Sequence, residues 1–135
     1  MTTTVQASAV ERAKAVMAAH DRAANSGDLD AVMANIDDEI VALAPDRSLL
    51  EGRESFRAFY AEMLEHSWPG TGDVAHHFSG AEENGSVVVL HGVAKGCLRP
   101  PGRVPVAVAN NFLILLKPDE TGAYKIWRAA FSSAG

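Results

Sequence analysis

Apolar residues recur at spacings of three and four near the start of the chain, which predicts an amphipathic helix over residues 5–24. The stripe consists of Val10, Ala13, Val16, Met17 and Ala24. Asn25-Ser26-Gly27 ends this helix, and Asp28 can cap a second one because its carboxylate accepts the free amide protons of a first turn. The second, short helix carries Leu29, Val32, Met33 and Ile36 and runs into Asp37-Asp38.

A third helix is predicted from about Glu54 to His66, after an extended stretch from Ile40 to Pro45. Its buried side holds Phe56, Phe59, Tyr60, Met63 and Leu64. Beyond Trp68-Pro69-Gly70 the pattern changes to long strands, predicted over residues 74–81, 86–98, 103–117 and 123–132. Turn-forming sequences join them, namely Glu83-Asn84-Gly85, Pro100-Pro101-Gly102 and Asp119-Glu120-Thr121-Gly122. Three helices followed by an antiparallel sheet make an α+β domain.

Length and charge narrow the classes of function. The chain has 135 residues and reads as one domain over residues 1–135, with a formal net charge of -5 and scattered cations. Nucleic acid and anionic membranes are not expected as partners, because phosphate binding needs clustered Lys and Arg. The single cysteine, Cys97, allows no disulfide within the chain. Residues 1–5 show no signal-peptide pattern and no membrane span is present, so a cytoplasmic location is expected.

Several short motifs occur at intervals that are typical of one fold. They are Gly27-Asp28-Leu29, Asp37-Asp38, Gly52-Arg53 and Phe59-Tyr60. In this order they resemble the nuclear transport factor 2-like superfamily, which includes ketosteroid isomerases, polyketide cyclases and SnoaL-like domains. The resemblance spans almost the whole chain. It implies three N-terminal helices packed on a strongly curved antiparallel sheet around a cone-shaped pocket.

The catalytic groups of ketosteroid isomerases are not retained. In those enzymes an Asp moves a proton while a Tyr and a protonated Asp donate hydrogen bonds to the oxyanion. By the resemblance, His20 stands at the position of the Tyr and Leu43-Ala44 at that of the base, just before Pro45. The position of the acid falls near Asn110, Asn111 or Ile114. Steroid isomerisation by that mechanism is therefore not expected.

Other polar residues are candidates for the pocket. Counted from the Asn84-Gly85 turn, the odd positions of the following strand share one face, which the resemblance turns inward: Val89, His91, Val93 and Lys95. On the last strand the same comparison turns Trp127, Ala129 and Phe131 inward. The predicted catalytic residues are His20, His91, Tyr60 and Asn110, and the predicted substrate-binding residues are Trp127, Phe131, Phe59, Val93 and Met63. A histidine pair can carry out acid/base chemistry near neutral pH without a carboxylate.

Structural roles remain open for the same residues. His20 either faces the pocket or interacts with the C-terminal end of its helix. Tyr60 either acts as an acid or only packs, with its hydroxyl bonded to a neighbour. His91 either lines the pocket or lies in the core or a dimer interface, because a one-residue register error reverses the face of a strand. Trp127 and Phe131 can equally be core residues. Asn110 and Asn111 point to opposite faces, so only one of them is expected to meet a ligand.

No metal or nucleotide cofactor is expected. His76 and His77 are neighbours on a predicted strand and would point to opposite faces, so both cannot reach one ion. Gly92 and Gly96 lie within a strand pattern and no helix follows, so they do not form a phosphate loop. Cys97 has no sequence-near base to activate it. Asp46 and Arg47 are interpreted as an exposed ion pair in a turn.

Three hypotheses of function follow. The first is a cofactor-independent enzyme of the isomerase, cyclase or dehydratase type acting on a small, apolar, carbonyl-containing molecule, and the second is a ligand-binding domain without turnover. The third is an association module like those of calmodulin-dependent kinases. A homodimer through the outer face of the sheet is expected, because the strand over residues 104–116 has apolar residues on both faces.

Overall fold

The helical layer follows the predicted pattern closely. The computed structural model describes residues 7–45, 47–66 and 72–134. Its helices are α1 (Ala9–Asn25), α2 (Leu29–Met33) and α3 (Arg53–His66). Ser8 caps α1 by accepting the amide proton of Glu11, so this helix begins later than predicted. The predicted cap of α2 is confirmed, since the Asp28 carboxylate accepts the amide proton of Ala31.

The strands form one curved, unclosed sheet on which the helices pack. They are β1 (Ile36–Leu43), β2 (Leu50–Glu51), β3 (Ala75–Asn84), β4 (Val87–Leu98), β5 (Val106–Pro118) and β6 (Tyr124–Ser133). Their order in the sheet is β2-β1-β6-β5-β4-β3. The predicted α+β class is confirmed. The sheet is mixed: β1 runs parallel to β6, and every other pair of neighbouring strands is antiparallel.

The prediction that the second helix runs to Asp37-Asp38 is wrong. The helix ends at Met33, and Ile36 already pairs with Ile126 of β6. The backbone at this point bonds to β6, with the Ile126 amide donating to the Asn35 carbonyl over 2.8 Å. Pairing with β6 therefore begins at Ile36, three residues after the helix ends. The predicted boundary at Trp68-Pro69-Gly70 lies outside the described residues.

Two glycines of β4 allow β3 to curl across it. A Cβ atom at Gly92 would collide with the carbonyl oxygen of His77, and one at Gly96 would collide with the backbone around Val74. Any other residue at these positions would push the two strands apart, so glycine is required for the close approach. A register shift between Phe78 and Gly80 adds to the bend in β3.

The core fills the space between the helices and the concave face of the sheet. Its largest fully buried side chains are Met17, Met33, Ile40, Leu90, Leu116, Val32 and Val88. The end of α1 is fastened to the start of β3 by Asn25, whose amide donates to the Val74 carbonyl over 2.9 Å and accepts the Val74 amide proton over 3.0 Å. This double hydrogen bond fixes the last turns of α1 against β3.

Candidate functional site

A cavity of about 370 Å³ opens between the helices and the concave face of the sheet. Most of its wall is apolar, formed by Met17, Phe56, Phe59, Met63, Val74, Ala94, Leu98, Val108, Phe112, Ile114, Ile126, Ala129 and Phe131. The polar lining residues are His20, Arg47, Tyr60, Glu62, His76 and Asn110. This volume is near the lower end of the range for ligand pockets, and an apolar wall with a few polar groups is their usual composition.

The first polar pair joins two helices across the inner end of the cavity. His20 lies three residues after Met17 on α1, so it continues the buried stripe of that helix. Its Nε2 lies 2.9 Å from the hydroxyl oxygen of Tyr60 on α3. His20 is 5% exposed and Tyr60 7%, so this hydrogen bond is shielded from bulk water. His20 therefore does not cap its helix, which was the structural alternative.

Both members of this pair are uncharged at neutral pH. Burial, with a smaller contribution from nearby His76, lowers the pKa of His20 from 6.5 to about 4, while Asp21 acts in the opposite direction. Burial and the negative charge of Asp21 raise the pKa of Tyr60 above its ordinary value. His20 Nδ1 is buried and has no hydrogen-bond partner among the described residues.

The second polar pair joins α1 to β3. The Asp21 carboxylate lies 2.6 Å from Nδ1 of His76 and also accepts the backbone amide proton of His76 over 3.0 Å. Each side chain is 13% exposed. The sequence analysis did not identify this pair. Asp21 lies four residues after Met17, and a carboxylate at that position of a buried stripe was the signal that could have revealed it.

His76 is oriented so that one ring nitrogen remains available. Nδ1 is bound to Asp21, the ring lines the cavity, and Nε2 has no hydrogen-bond partner among the described residues. The ring packs edge-on against Phe112 with centroids 4.7 Å apart and against His20 with centroids 6.0 Å apart. His77 is exposed, in agreement with the predicted alternation. No group of three potential metal ligands occurs in the part of the chain that the structure describes.

Six of the predicted site residues line the cavity. They are His20, Tyr60, Asn110, Phe59, Met63 and Phe131. Asn110 is partly buried in the wall, whereas Asn111 is exposed. Phe131 belongs to the wall and also contacts Phe59, with ring centroids 6.4 Å apart. The structure thus places one amide of the Asn110-Asn111 pair at the cavity.

The inward orientation predicted for His91, Val93 and Lys95 is wrong. Even-numbered positions of β4 are buried instead, as Val88, Leu90 and Ala94 show. The hairpin turn consists of Gly85 and Ser86, β4 begins at Val87, and its odd positions face the convex side. His91 is exposed there, with its ring over Gly80. A strand reverses its faces with each residue, so counting the register wrongly by one inverts the whole set.

Trp127 does not line the cavity, contrary to prediction. In β6, Ile126 pairs with Leu116 and Arg128 with Leu115, so Trp127 is the extra residue of a β-bulge. Two cations contact its ring: the centroid lies 4.1 Å from the Arg128 guanidinium carbon and 4.6 Å from the Lys117 amine. Ile126 takes the place in the wall that the resemblance had given to Trp127.

The structure does not test the predicted ion pair of Asp46 and Arg47. Asp46 lies outside the described residues. Arg47 forms an ion pair with Glu62 of α3, with its Nη1 atom 3.4 Å from the carboxylate, and both residues line the cavity. Cys97 is partly buried, and the hydrogen-bond partner of its thiol is the Leu98 carbonyl, 3.7 Å away.

Helices wrapped by a curved six-stranded sheet around an apolar cavity define the nuclear transport factor 2-like class of proteins. Within that class the chain belongs to the SnoaL-like domain family, which residues 16–114 match. No match was found among curated proteins. No helix in the described ranges is long and apolar enough to cross a membrane.

Solved structures of similar fold have diverse descriptions. A ketosteroid isomerase-like protein from Erwinia carotovora atroseptica SCRI1043 is 22% identical, with a TM-score of 0.79 over 93% of this chain and 96% of that chain. A suggested dehydratase of the NTF2-like family from Streptomyces avermitilis is 14% identical, with a TM-score of 0.80 over the same shares. The CaMKII hub of S. rosetta is 16% identical, with a TM-score of 0.79 over 96% of this chain and 100% of that chain. At these identities the similarity establishes the fold.

Proposed function

We propose that this protein binds a small, largely apolar molecule that contains a carbonyl group and transfers a proton next to that carbonyl with its own side chains. One observation carries the proposal. Of two hydrogen-bonded polar pairs, His20 with Tyr60 and Asp21 with His76, three members line a cavity whose wall is mostly apolar, and Asp21 supports His76 from behind. Buried polar groups that converge in an apolar pocket are expensive to maintain and typical of a reactive site.

His76 is the proposed general base. The Asp21 carboxylate accepts a hydrogen bond from the Nδ1–H group of His76, which favours the tautomer with a free electron pair on Nε2. Nε2 belongs to a ring that lines the cavity, so a ligand's C–H group can approach it. Asp21 is a positioning residue in this scheme, because it contacts His76 and acts through it.

Tyr60 is the proposed hydrogen-bond donor to the carbonyl oxygen. His20 is neutral, and its buried Nδ1 lacks a partner among the described residues. A buried nitrogen without a partner costs less as a bare acceptor than as an orphaned N–H donor, so the proton belongs on Nε2. His20 then donates to the Tyr60 oxygen, and the Tyr60 hydroxyl proton is free for a ligand. Asn110 supplies a further amide at the wall.

The proposed reaction begins when His76 Nε2 takes a proton from the carbon next to the carbonyl. The C–H electron pair moves into an enolate, whose oxygen is stabilised by the Tyr60 hydroxyl. The protonated His76 then returns its proton to another carbon, which gives isomerisation, or to a departing hydroxyl, which gives dehydration. Both reaction classes occur in the descriptions of similar folds, an isomerase-like protein and a suggested dehydratase.

Exchange of carbon-bound hydrogen for deuterium tests this step without knowledge of the natural substrate. A panel of small aromatic ketones in D₂O is followed by proton NMR with wild type, His76→Gln and Tyr60→Phe. We expect wild type to accelerate exchange, His76→Gln to abolish the acceleration, and Tyr60→Phe to lower it by about a hundredfold. His77→Gln, an exposed neighbour, is the matched control and should retain the wild-type rate.

Two outcomes would contradict the catalytic proposal. One is exchange that is equal in wild type and His76→Gln. The other is tight binding of the panel ketones with no exchange in any variant, which would favour a ligand-binding domain without turnover.

We also propose that the protein is a homodimer joined through the convex face of the sheet. Leu113 on this face is 46% exposed, and partly exposed Val89, Val93 and Leu115 lie on the same side of β4 and β5. We expect sedimentation at micromolar concentration to show a dimer that Leu113→Glu dissociates. Leu49→Glu is the control, because Leu49 is 48% exposed but lies outside the sheet. A monomeric wild type would contradict this proposal.

A further inference from the structure

The outer end of the cavity is charged, whereas its inner end is neutral. Arg47 and Glu62 line the cavity with side chains that are 45% and 56% exposed, which places them at its mouth. The inner groups, His20 and Tyr60, are almost fully buried and uncharged at neutral pH. A ligand that fills the cavity therefore meets neutral hydrogen-bonding groups at one end and a guanidinium at the other.

We infer that the ligand is an apolar carbonyl compound that also carries an anionic group, a carboxylate or its equivalent, and that Arg47 binds this group at the mouth. The inference rests on the proposed function, since it assumes that the cavity holds the ligand. It adds a specificity-determining residue and a substrate class to the chemistry at the inner end.

Arg47 is held in place by the cavity wall. Its guanidinium carbon lies 5.2 Å from the centroid of the Phe59 ring, which is a cation–π contact. Phe59 is 8% exposed and packs edge-on against Tyr60 with centroids 5.7 Å apart. The cation thus rests on a ring that also contacts the proposed donor. A contact of this kind does not use the N–H groups of the guanidinium, which can therefore bind an anion.

The bond between Arg47 and Glu62 is easily exchanged. The single contact is 3.4 Å long, and both side chains are about half exposed. Exposed ion pairs of this kind contribute little to stability. Apart from this contact, the N–H donors of Arg47 have no partner among the described residues. A ligand carboxylate can therefore form the two-point contact that Glu62 does not make.

The net charge of the chain does not favour an anionic ligand, so Arg47 itself must attract one. The whole chain has a net charge of -5, so a general electrostatic effect would repel an anion. Arg47 is the single Lys or Arg among the described residues that line the cavity. Glu62 stands beside it and weakens the attraction for anions. Removal of the Arg47 charge should therefore lower the affinity for anions, and removal of the Glu62 charge should raise it.

Two dyes of similar shape provide the test. 1-Anilinonaphthalene-8-sulfonate carries a negative charge, and N-phenyl-1-naphthylamine is its neutral counterpart. Both become fluorescent in apolar pockets, so titration gives a dissociation constant for each. We expect Arg47→Gln to lower the affinity for the anionic dye about fivefold to tenfold and the affinity for the neutral dye less than about twofold. We expect Glu62→Gln to raise the affinity for the anionic dye about threefold.

Arg57→Gln is the matched control. Arg57 lies on α3, is 49% exposed, and pairs with Asp30 instead of lining the cavity. This variant loses the same charge and should bind both dyes as wild type does. Equal affinities of the anionic dye for Arg47→Gln and Arg57→Gln, with the neutral dye still bound, would overturn the role of Arg47 and leave the proposed function standing. Failure of wild type to bind either dye would overturn both.

Discussion

At the scale of single residues, two neighbours on α1 are held in different states by their surroundings. Asp21 keeps both carboxylate oxygens satisfied, one by the ring of His76 and one by its backbone amide. A buried carboxylate is tolerated only when it is bonded in this way. His20 has a neutral hydroxyl as its partner, and its pKa falls to about 4 because burial disfavours the imidazolium. One helix turn thus supplies both a charged orienting group and a neutral donor.

The lowered pKa of His20 makes the folded protein sensitive to acid. The unfolded chain takes up a proton on this ring as the pH falls through 6.5, whereas the folded protein resists it until about pH 4. Stability from the neutral ring is therefore complete above about pH 6.5 and is lost as the pH falls toward 4. The shift corresponds to about 3 kcal/mol of unfolding free energy.

We expect His20→Gln to lose less stability than wild type over this pH range, since glutamine does not titrate. Urea unfolding at pH values from about 7 to about 4 measures the difference. His77→Gln serves as the control, because the exposed ring of His77 can be removed without changing the buried pair. An equal loss of unfolding free energy in wild type and His20→Gln would show that burial of His20 does not produce the acid sensitivity.

At the scale of elements, the helices were predicted better than the strands for a geometric reason. The buried side of a helix is defined by several residues at spacings of three and four, so it does not depend on counting from a single turn. Phe59, Tyr60 and Met63 were predicted from the stripe of α3, and all three line the cavity. In a strand, a one-residue error in the count turns a residue to the opposite face.

The strand predictions failed where register mattered. His91 was assigned to the concave face by counting from a turn whose position was taken one residue too early, since the turn consists of Gly85 and Ser86. The resemblance turned Trp127, Ala129 and Phe131 inward together, and a bulge at Trp127 breaks this alternation. Nothing in a single sequence marks this bulge. Phe131 lies beyond it and was placed correctly.

At the scale of the whole molecule, the fold follows from the sequence but the site depends on long-range packing. His20 and Tyr60 are 40 residues apart, and Asp21 and His76 are 55 apart. Which of these side chains meet depends on how α1 lies between α3 and β3. The family resemblance predicted a cone-shaped pocket and placed His20 at its wall. It gave no means of pairing Asp21 with His76.

The proposed chemistry of this protein rests on the side chains in its cavity and not on its backbone. An isomerase-like protein and a kinase hub both superimpose on it with a TM-score of 0.79, so the backbone alone does not specify what the domain does. The cavity of this chain is lined by His20, Tyr60 and His76 inside and by Arg47 at its mouth. These side chains account for the proposed chemistry, whereas the proposed dimer uses the convex face.

The central claim is that Tyr60, supported by neutral His20, donates a hydrogen bond to a carbonyl group inside the cavity. The infrared C=O stretching band of bound 2-acetylnaphthalene measures this contact directly, because a hydrogen bond lowers its frequency. We expect a lower frequency in wild type and in His76→Gln than in Tyr60→Phe, with the ketone bound in all three. The same frequency in wild type and Tyr60→Phe would contradict the claim.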